Sequence, residues 1–579
     1  MTDAASRSAS PAATASLALL EGLVARGVRD VVLSPGSRSQ ALALAASALA
    51  RTGALRVHVR IDERVAGFTG LGIARETGLP VALVCTSGTA AAGFLPAAME
   101  AFHAGVPLIL LTADRPPELR GVGANQATTQ PGMYRAWVRL EVDAPVPADD
   151  TDPTVFPALA ADAVDAATGA AGEGLAGVAG PVHLNLPFRE PLSAPVEPTR
   201  DRGRAAEPPA PGPAGRGPAA SEEAAHVLAR GPRTVVIAGA DAGPDAEEIA
   251  HRGGWPLIAE VVSGARFGRQ IVHGYRALLR DPALGGRVER AVVLGHPTLS
   301  REVPALLARE DVEVVAVRRG GERLDLSGGR GGSHARDVAA VSVAPGAVDR
   351  EWLGAWMRAS ADAVVDLDAP APDQAGLFST DAAARLGAVR AELDAVRRPL
   401  DRELLVDAVW RATWPHDRLM FGSSRLVRVA DAVLGGKRVP VHANRGLAGI
   451  DGTIATATGI ALASQAAGAA GVTRVLLGDL AFLHDVGALL LPADEPAPRI
   501  QVVVGNDGGG TIFDGLEVAA SAPAADLDRV FYTPQTTGLE HLAAAYGWDY
   551  RRITTRPTLD QALTAPVSGP QLIEVPLPR

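Results

Sequence analysis

A chain of 579 residues with 47 % hydrophobic content carries enough apolar material for about three cores of ordinary domain size, which excludes a disordered chain. Its formal net charge of −10 excludes bulk nucleic acid as a partner, because neutralising phosphates needs a basic face. One cysteine, Cys85, excludes intramolecular disulfides, Cys-rich zinc sites and iron–sulfur clusters.

The only lysine, Lys437 in LGGKRVP, cannot belong to a Walker A loop, since no Ser or Thr follows it, and reads as a solvated turn residue. Cys85 sits inside the apolar run VALVCTSGT and reads as an inert buried thiol, in keeping with a reducing cytoplasm. No apolar stretch reaches the roughly 18 residues of a membrane span. The start, MTDAASRSASPAATAS, has no charged segment followed by an apolar one and reads as a short frayed end of a soluble cytoplasmic protein.

Between residues 15 and 190, helix-like and strand-like runs alternate: SLALLEGLVARG, DVVLSPG, RVHVRIDER, VAGFTGLGIARETG, PVALVCTSG, PLILLTAD and PVHLNLP. Short apolar strands separated by amphipathic helices predict a parallel sheet flanked by helices over 1–193. The Pro/Gly/Ala/Arg-rich run over 194–222 predicts a linker. RTVVIAGA, PLIAEVV, RAVVLG and VEVVAV predict a second α/β block over 223–378. DRLMF, VPVHA, RVLLGD and IQVVVGND predict a third over 379–579. The first and third blocks share a layout, a glycine-bearing loop after a parallel strand, and ligands of such sheets bind at the carboxyl ends of strands.

The loops carry the chemistry. SPGSRSQ follows a strand and opens a helix, with Ser37 or Ser39 as its predicted cap. Arg38 there stands against the helix dipole, an arrangement that an anionic ligand relieves and that an exposed loop arginine also fits. Glu63 in RIDERVAGF ends a strand; taken alone it reads as an acid at a helix start, favoured by the dipole. TADRPPEL and GANQATTQPGMY offer Arg115, Asn125 and Gln126, a guanidinium fork and two amides suited to carboxylates and hydroxyls. GSSRLVRVAD and HANRGLAGIDG add Ser424, Arg428 and Arg445. Each arginine by itself also fits a surface ion pair.

The stretch from Val475 to Phe513 says most. Two apolar runs, RVLLGD and IQVVVGND, flank FLHDVGALLL, which reads as one helix. The right-handed crossover of a βαβ unit brings Asp479 and Asp507 to one strand edge. A hard divalent cation takes oxygen ligands there and keeps positions open for phosphate oxygens. Gly508, Gly509 and Gly510 let a carbonyl ligate and amides face an anion. The plain alternative for either Asp is a helix cap.

Gly-Asp followed by Asn-Asp resembles the diphosphate signature of thiamine-diphosphate enzymes. The resemblance implies Mg²⁺ or Mn²⁺ held by Asp479, Asp507 and the Gly509 carbonyl. It places Gly478, Leu480 and Ser424 against the cofactor, with Leu480 standing where the family usually has Gly or another small residue. Glu63 becomes the acid that hydrogen-bonds the pyrimidine nitrogen, Ile512 the prop for the bent cofactor, and Phe513 its neighbour. SPGSRS, DERVAGF, TSGTA, LTADRPPEL, GANQATTQPGM, NRGLAGIDGT, LGDLAFLHD and NDGGGTIF together resemble, more narrowly, the menaquinone-pathway members of that family.

That likeness implies decarboxylation of 2-oxoglutarate and 1,4-addition of the remaining unit to isochorismate. It implies a pyrimidine-binding domain over 1–193, a central domain over 223–378 and a diphosphate-binding domain over 379–579. The cofactor then lies between the first domain of one subunit and the third of another, in a homodimer or a dimer of dimers. The substrate pocket comprises Ser37, Arg38, Arg115, Asn125, Gln126, Arg301, Arg428 and Arg445, with Ser300 where relatives often carry lysine. An enzyme of the acetolactate synthase type shares Glu63, Asp479 and Asp507 but not the arginines. A catalytically silent regulatory subunit would have lost the acid or a cation ligand, and this sequence keeps all three.

Overall fold

The computed structural model describes residues 10–170, 177–198, 225–317, 322–328, 334–368 and 371–579. In the first segment the apolar runs form β1 (Asp30–Leu33), β2 (Arg56–Val59), β3 (Val81–Cys85), β4 (Leu108–Asp114), β5 (Leu140–Asp143) and β6 (Val182–Pro187). They pair in parallel in the order β2-β1-β3-β4-β6-β5. β3 and β4 are buried along their whole length because helices cover both faces, which is why they read as unbroken apolar runs.

The second segment contains β7 (His226–Leu228), β8 (Thr234–Ala238), β9 (Leu257–Ala259), β10 (Arg290–Leu294), β11 (Glu313–Val317), β12 (Arg336–Val338) and β13 (Val341–Val343). Five of them form the sheet β12-β11-β10-β8-β9, and β7 pairs with β13. The third segment contains β14 (Arg418–Phe421), β15 (Val441–Ala443), β16 (Thr473–Gly478), β17 (Ile500–Asn506), β18 (Asp549–Arg552) and β19 (Gln571–Pro576). Their order, β15-β14-β16-β17-β19-β18, repeats that of the first sheet strand for strand.

Two helices bring these like sheets together. Glu63–Thr77 starts on Asp62, whose carboxylate accepts the Arg64 and Val65 amides, and ends on the left-handed Gly78. It crosses Thr453–Ala466 so closely that side chains are excluded at the contact. A Cβ on Gly72 would lie 2.0 Å from the Thr456 carbonyl oxygen, and one on Gly459 2.1 Å from that of Thr69. No helix among the described residues is long and apolar enough to cross a membrane.

Several expectations change. FLHDVGALLL is not one helix: a short helix, Asp479–His484, gives way to a 3-10 turn, Val486–Leu489. Asp485 at the break turns inward and caps the Thr453–Ala466 helix, Oδ2 accepting the Ile454 and Ala455 amides at 2.8 and 3.0 Å. Lys437 is not simply solvated; its Nζ donates to the carbonyls of Trp410 and Arg411, where a cation complements the end of the Arg402–Ala412 helix. The helix after SPGSRS begins at Gln40, and the Ser39 hydroxyl turns back to the Gly36 carbonyl instead of capping. The start over 1–9 and the linker residues 199–224 lie outside the described residues.

Candidate active site

Gly478 on β16 pairs with Gly505 on β17, so Asp479 and Asp507, just beyond these strands, come to one edge. Asp479 is 6 % exposed. Burial pushes its carboxyl up to about 6; the Leu480 amide pulls it down, the Asp507 charge pushes it up, and the Gly509 amide pulls it down again. A buried carboxyl beside a second one is a pair that a bound cation relieves.

Asp507 is held on one side. Arg402 donates to its Oδ2 through Nε at 3.1 Å and Nη2 at 2.7 Å, and the Thr511 hydroxyl donates to the same oxygen. Among the described residues no hydrogen bond reaches Oδ1. Gly509 has φ +130, and a Cβ there would lie 2.2 Å from the Tyr532 carbonyl oxygen, so only glycine fits. Its own carbonyl accepts the Thr511 amide at 2.8 Å, which leaves one lone pair. One free carboxylate oxygen, a second carboxyl and a half-used carbonyl are all oxygen donors, and that set fits a hard divalent cation.

Ser424 caps the Arg425–Val433 helix, its Oγ accepting the Leu426 amide, and faces Gly478: a Cβ on that glycine would lie 3.6 Å from the Ser424 Cβ. Leu480 is half-buried. Ile512 and Phe513 lie in the turn Thr511–Gly515, with the Phe513 ring edge-on to Phe531 at 5.2 Å. Arg425 fastens that turn through the Thr511 carbonyl and Asp514.

At the carboxyl edge of the first sheet, Arg38 and Arg115 are both buried. Arg38 donates to the Phe188 carbonyl at 3.2 Å, and its amide reaches the Thr86 hydroxyl at 3.1 Å. Arg115 donates to the Ser87 hydroxyl at 3.0 Å and the Asn125 carbonyl at 2.8 Å. Burial lowers the Arg38 pKa and the neighbouring Arg115 charge lowers it further, so two guanidiniums share one pocket. Gln126, left-handed at φ 55, is stapled to Ser87 by two hydrogen bonds. Ser37, Asn125 and Gln126 are exposed.

Glu63 is the half-buried first residue of its helix. A Cβ on Gly93 would lie 2.6 Å from its Cβ, so that glycine leaves room for the acid. Burial pushes the Cys85 thiol well above its ordinary range and the Glu63 charge adds to it, which makes Cys85 as inert as its sequence context predicts.

The third cluster joins the second and third sheets. Arg445, 7 % exposed, donates through Nε to the Thr298 hydroxyl at 2.9 Å, through Nη2 to the Thr298 carbonyl at 3.3 Å and through Nη1 to the Ser423 hydroxyl at 3.2 Å. Arg428 is exposed and has no hydrogen bond or ion pair among the described residues; partial desolvation by its neighbours, then the charges of Arg276 and Arg301, lower its pKa. Arg301 is exposed and pairs with Glu517 at 3.4 Å. Among the described residues no hydrogen bond or ion pair joins the Arg38–Arg115 cluster to the Asp479–Asp507 edge.

Residues 13–133 match the family of the thiamine pyrophosphate enzyme N-terminal TPP binding domain. The chain is 54 % identical to the 2-succinyl-5-enolpyruvyl-6-hydroxy-3-cyclohexene-1-carboxylate synthase of Leifsonia xyli, covering 99 % of this chain and 98 % of that protein. It is 51 % identical to the synthase of the same name from Clavibacter michiganensis, covering 99 % and 97 %. The chain belongs to the 2-succinyl-5-enolpyruvyl-6-hydroxy-3-cyclohexene-1-carboxylate synthase family. Its fold is that of a benzoylformate decarboxylase from Polynucleobacter necessarius, with a TM-score of 0.64 at 15 % identity over 98 % of both chains.

Within this synthase the site holds residues that the sequence did not point to. Arg402 lies in an ordinary amphipathic helix and carries no local signal. Thr298, in PTLSREV, stands two residues before Ser300, and Ser423 stands beside Ser424 in GSSR; both were legible only as neighbours of singled-out positions.

Proposed function

We propose that this synthase decarboxylates 2-oxoglutarate and joins the remaining four-carbon unit to isochorismate by 1,4-addition, releasing CO₂ and forming one carbon–carbon bond. The observation that carries the reading is the oxygen edge of Asp479, Asp507 and Gly509, in a chain 54 % identical end to end to a synthase of that name. Thiamine diphosphate, when bound, supplies the electron sink for the decarboxylation.

The chain supplies positioning and charge. Asp479, Oδ1 of Asp507 and the Gly509 carbonyl would hold Mg²⁺ or Mn²⁺, with Gly478, Leu480 and Ser424 beside the diphosphate. Ile512, with Phe513 beside it, would pack against the bound cofactor. Glu63 shares a proton with the pyrimidine nitrogen, the role of a positioned general acid–base. Arg38 and Arg115, two adjacent guanidiniums whose neighbours are mostly neutral, meet substrate carboxylates with Ser37, Asn125 and Gln126. Arg445, Arg428 and Arg301 supply the remaining cationic wall. The lack of any hydrogen bond or ion pair joining the Arg38–Arg115 cluster to the Asp479–Asp507 edge among the described residues accords with a homodimer, or a dimer of dimers, in which domains 1–193 and 379–579 of different subunits share the cofactor. Cytoplasmic location and small anionic partners, rather than nucleic acid or membrane, accord with the charge and the lone buried Cys85.

The test incubates the purified protein with thiamine diphosphate, Mg²⁺, 2-oxoglutarate and isochorismate, and identifies the product by mass spectrometry. The expected product is 2-succinyl-5-enolpyruvyl-6-hydroxy-3-cyclohexene-1-carboxylate. Acetolactate formed from pyruvate, with no product from the two acids, would replace this reading by the acetolactate synthase type.

A further inference from the structure

Glu260 is a buried acid that the reaction does not use. It follows β9 and is 0 % exposed. Its Oε1 accepts the amides of Thr298 at 2.8 Å and Leu299 at 2.6 Å, and Oε2 lies 3.1 Å from the Thr298 amide. Those amides belong to the loop HPTLSR between β10 and the Glu302–Leu307 helix. The same loop meets the third sheet, because Thr298 accepts two N–H groups of Arg445, one on its hydroxyl and one on its carbonyl.

With Ser423 taking a third donor, two of the five guanidinium N–H groups have no partner among the described residues, one on each terminal nitrogen. A donor left on each terminal nitrogen keeps the guanidinium able to meet a carboxylate. Any rotation of the Arg445 fork breaks both contacts to Thr298, and any drift of Thr298 breaks the bonds to Glu260. Burial pushes the Glu260 carboxyl up to about 8, with the buried Asp431 adding to it, the two amides opposing, and the Arg445 charge opposing last. A fully buried carboxyl whose hydrogen bonds among the described residues all come from the backbone of one loop marks the loop position as the thing being fixed.

We infer that Glu260 and Thr298 are positioning residues that preset the guanidinium of Arg445 for a substrate carboxylate, so that the central sheet sets substrate affinity across its junction with the third. The inference rests on the reading of Arg445 as a substrate contact. It commits Thr298 to acting through Arg445 and not through the cofactor.

The test uses the full-length protein with thiamine diphosphate and Mg²⁺. KM and kcat are measured for each substrate, and cofactor affinity separately, in Thr298→Val, Thr298→Ser, Glu260→Gln, Arg445→Lys and the double variant Thr298→Val with Arg445→Lys. Thr298→Val is expected to raise one substrate's KM about tenfold, with cofactor affinity within about twofold of the parent. Thr298→Ser, which keeps the hydroxyl, is expected to restore KM to within about twofold. Glu260→Gln, whose amide oxygen still accepts the Thr298 and Leu299 amides, is expected to leave that KM within about twofold of the parent. In the Arg445→Lys background Thr298→Val should add little, since coupled residues are not additive.

An unchanged KM in Thr298→Val, or a double variant whose effect is the product of the two single ones, overturns the proposal. Should Glu260→Gln fail to fold, the Thr298 series decides alone. If Arg445→Lys leaves both KM values unchanged while Thr298→Val raises one, the assignment of Arg445 to substrate fails, and the relay through it fails with it.

Discussion

Arg402 grips Asp507 by a single oxygen, its Nε and Nη2 lying 3.1 and 2.7 Å from Oδ2. Held there and by the Thr511 hydroxyl, the carboxylate cannot turn freely, and Oδ1 is the oxygen left to meet a cation. Outer partners of this kind orient a ligand and set its affinity. Arg402→Gln should therefore weaken Mn²⁺ binding about tenfold, followed by electron paramagnetic resonance of the free ion, with Arg402→Lys in between. Asp479→Ala should lose the ion altogether and raise the thiamine diphosphate concentration needed for activity. Unchanged Mn²⁺ affinity in both Arg402→Gln and Asp479→Ala would remove the cation from this edge.

Glu63 presents its carboxyl at a helix start beside the space that Gly93 leaves open. Glu63→Gln keeps that shape but cannot share a proton with a ring nitrogen. Turnover should fall by about 10²–10⁴-fold with thermal unfolding unchanged. Gly93→Ala should lower activity in the same direction by pressing on the acid. Near-parental kcat in Glu63→Gln would take the residue out of the chemistry.

How far the sequence carried these sites depends on how local their signals are. β1, β3, β4, β16 and β17 are buried on both faces, so DVVL, VALVC, LILLTAD, TRVLLG and IQVVVGN announce themselves as apolar runs, and the loops after them hold Arg38, Arg115, Asp479 and Asp507. β5 (LEVD) and β18 (DYRR) sit at sheet edges with exposed polar residues, and their runs resemble loops. The break at Asp485 was illegible for another reason. Its partners, the Ile454 and Ala455 amides, belong to a helix some thirty residues away in the chain, at |i−j| of 31 and 30. Arg402 and Thr298 were missed likewise, since each matters only through a partner on another strand or helix.

That inward turn has a consequence in pH. Asp485 is fully buried, and among the described residues its Oδ1 has no hydrogen-bond partner, only the Arg64 guanidinium 3.8 Å away. Burial pushes the carboxyl up to about 6 against the Ala455 amide, Arg64 and the Ile454 amide, with Asp451 adding to the rise. The folded pKa thus lies above the unfolded one, so the folded state keeps its proton longer. Stability from this group falls as pH rises through the window between about 4 and about 6 and stays lower above it. Asp485→Asn removes the titration, so its stability relative to the parent should rise across that window, by at most about 3 kcal/mol for a shift of about two units. Urea midpoints of both proteins at pH 4.5 and 7 measure the difference, and His484, present in both, cancels. Parallel pH curves would mean that Asp485 titrates normally.

The pairing of Arg38 with Arg115 separates substrate recognition from cofactor binding. Both guanidiniums are buried, burial and then the Arg115 charge lower the Arg38 pKa, and the nearest acid to Arg38 among the described residues, Glu190, is 4.0 Å away and largely exposed. A dicarboxylate supplies the missing charge, and a planar fork meets each carboxylate with two N–H groups where an ammonium meets it with one. Arg38→Lys and Arg115→Lys should each lose about 1.5–3 kcal/mol of interaction, or roughly ten- to a hundredfold in kcat/KM for the acid they hold. Thiamine diphosphate affinity should stay within about twofold, because neither residue reaches the Asp479 edge. At the exposed rim of the cationic wall, where Arg301 is paired with Glu517 and screened by solvent, Arg301→Lys keeps the charge and should lower kcat/KM by less than about threefold. Steady-state kinetics for both substrates, with cofactor titrations alongside, separate the two effects. If Arg38→Lys and Arg115→Lys match the parent within about twofold, the buried pair serves the fold of its loops, and the acidic substrates are held by Arg301, Arg428 and Arg445 alone.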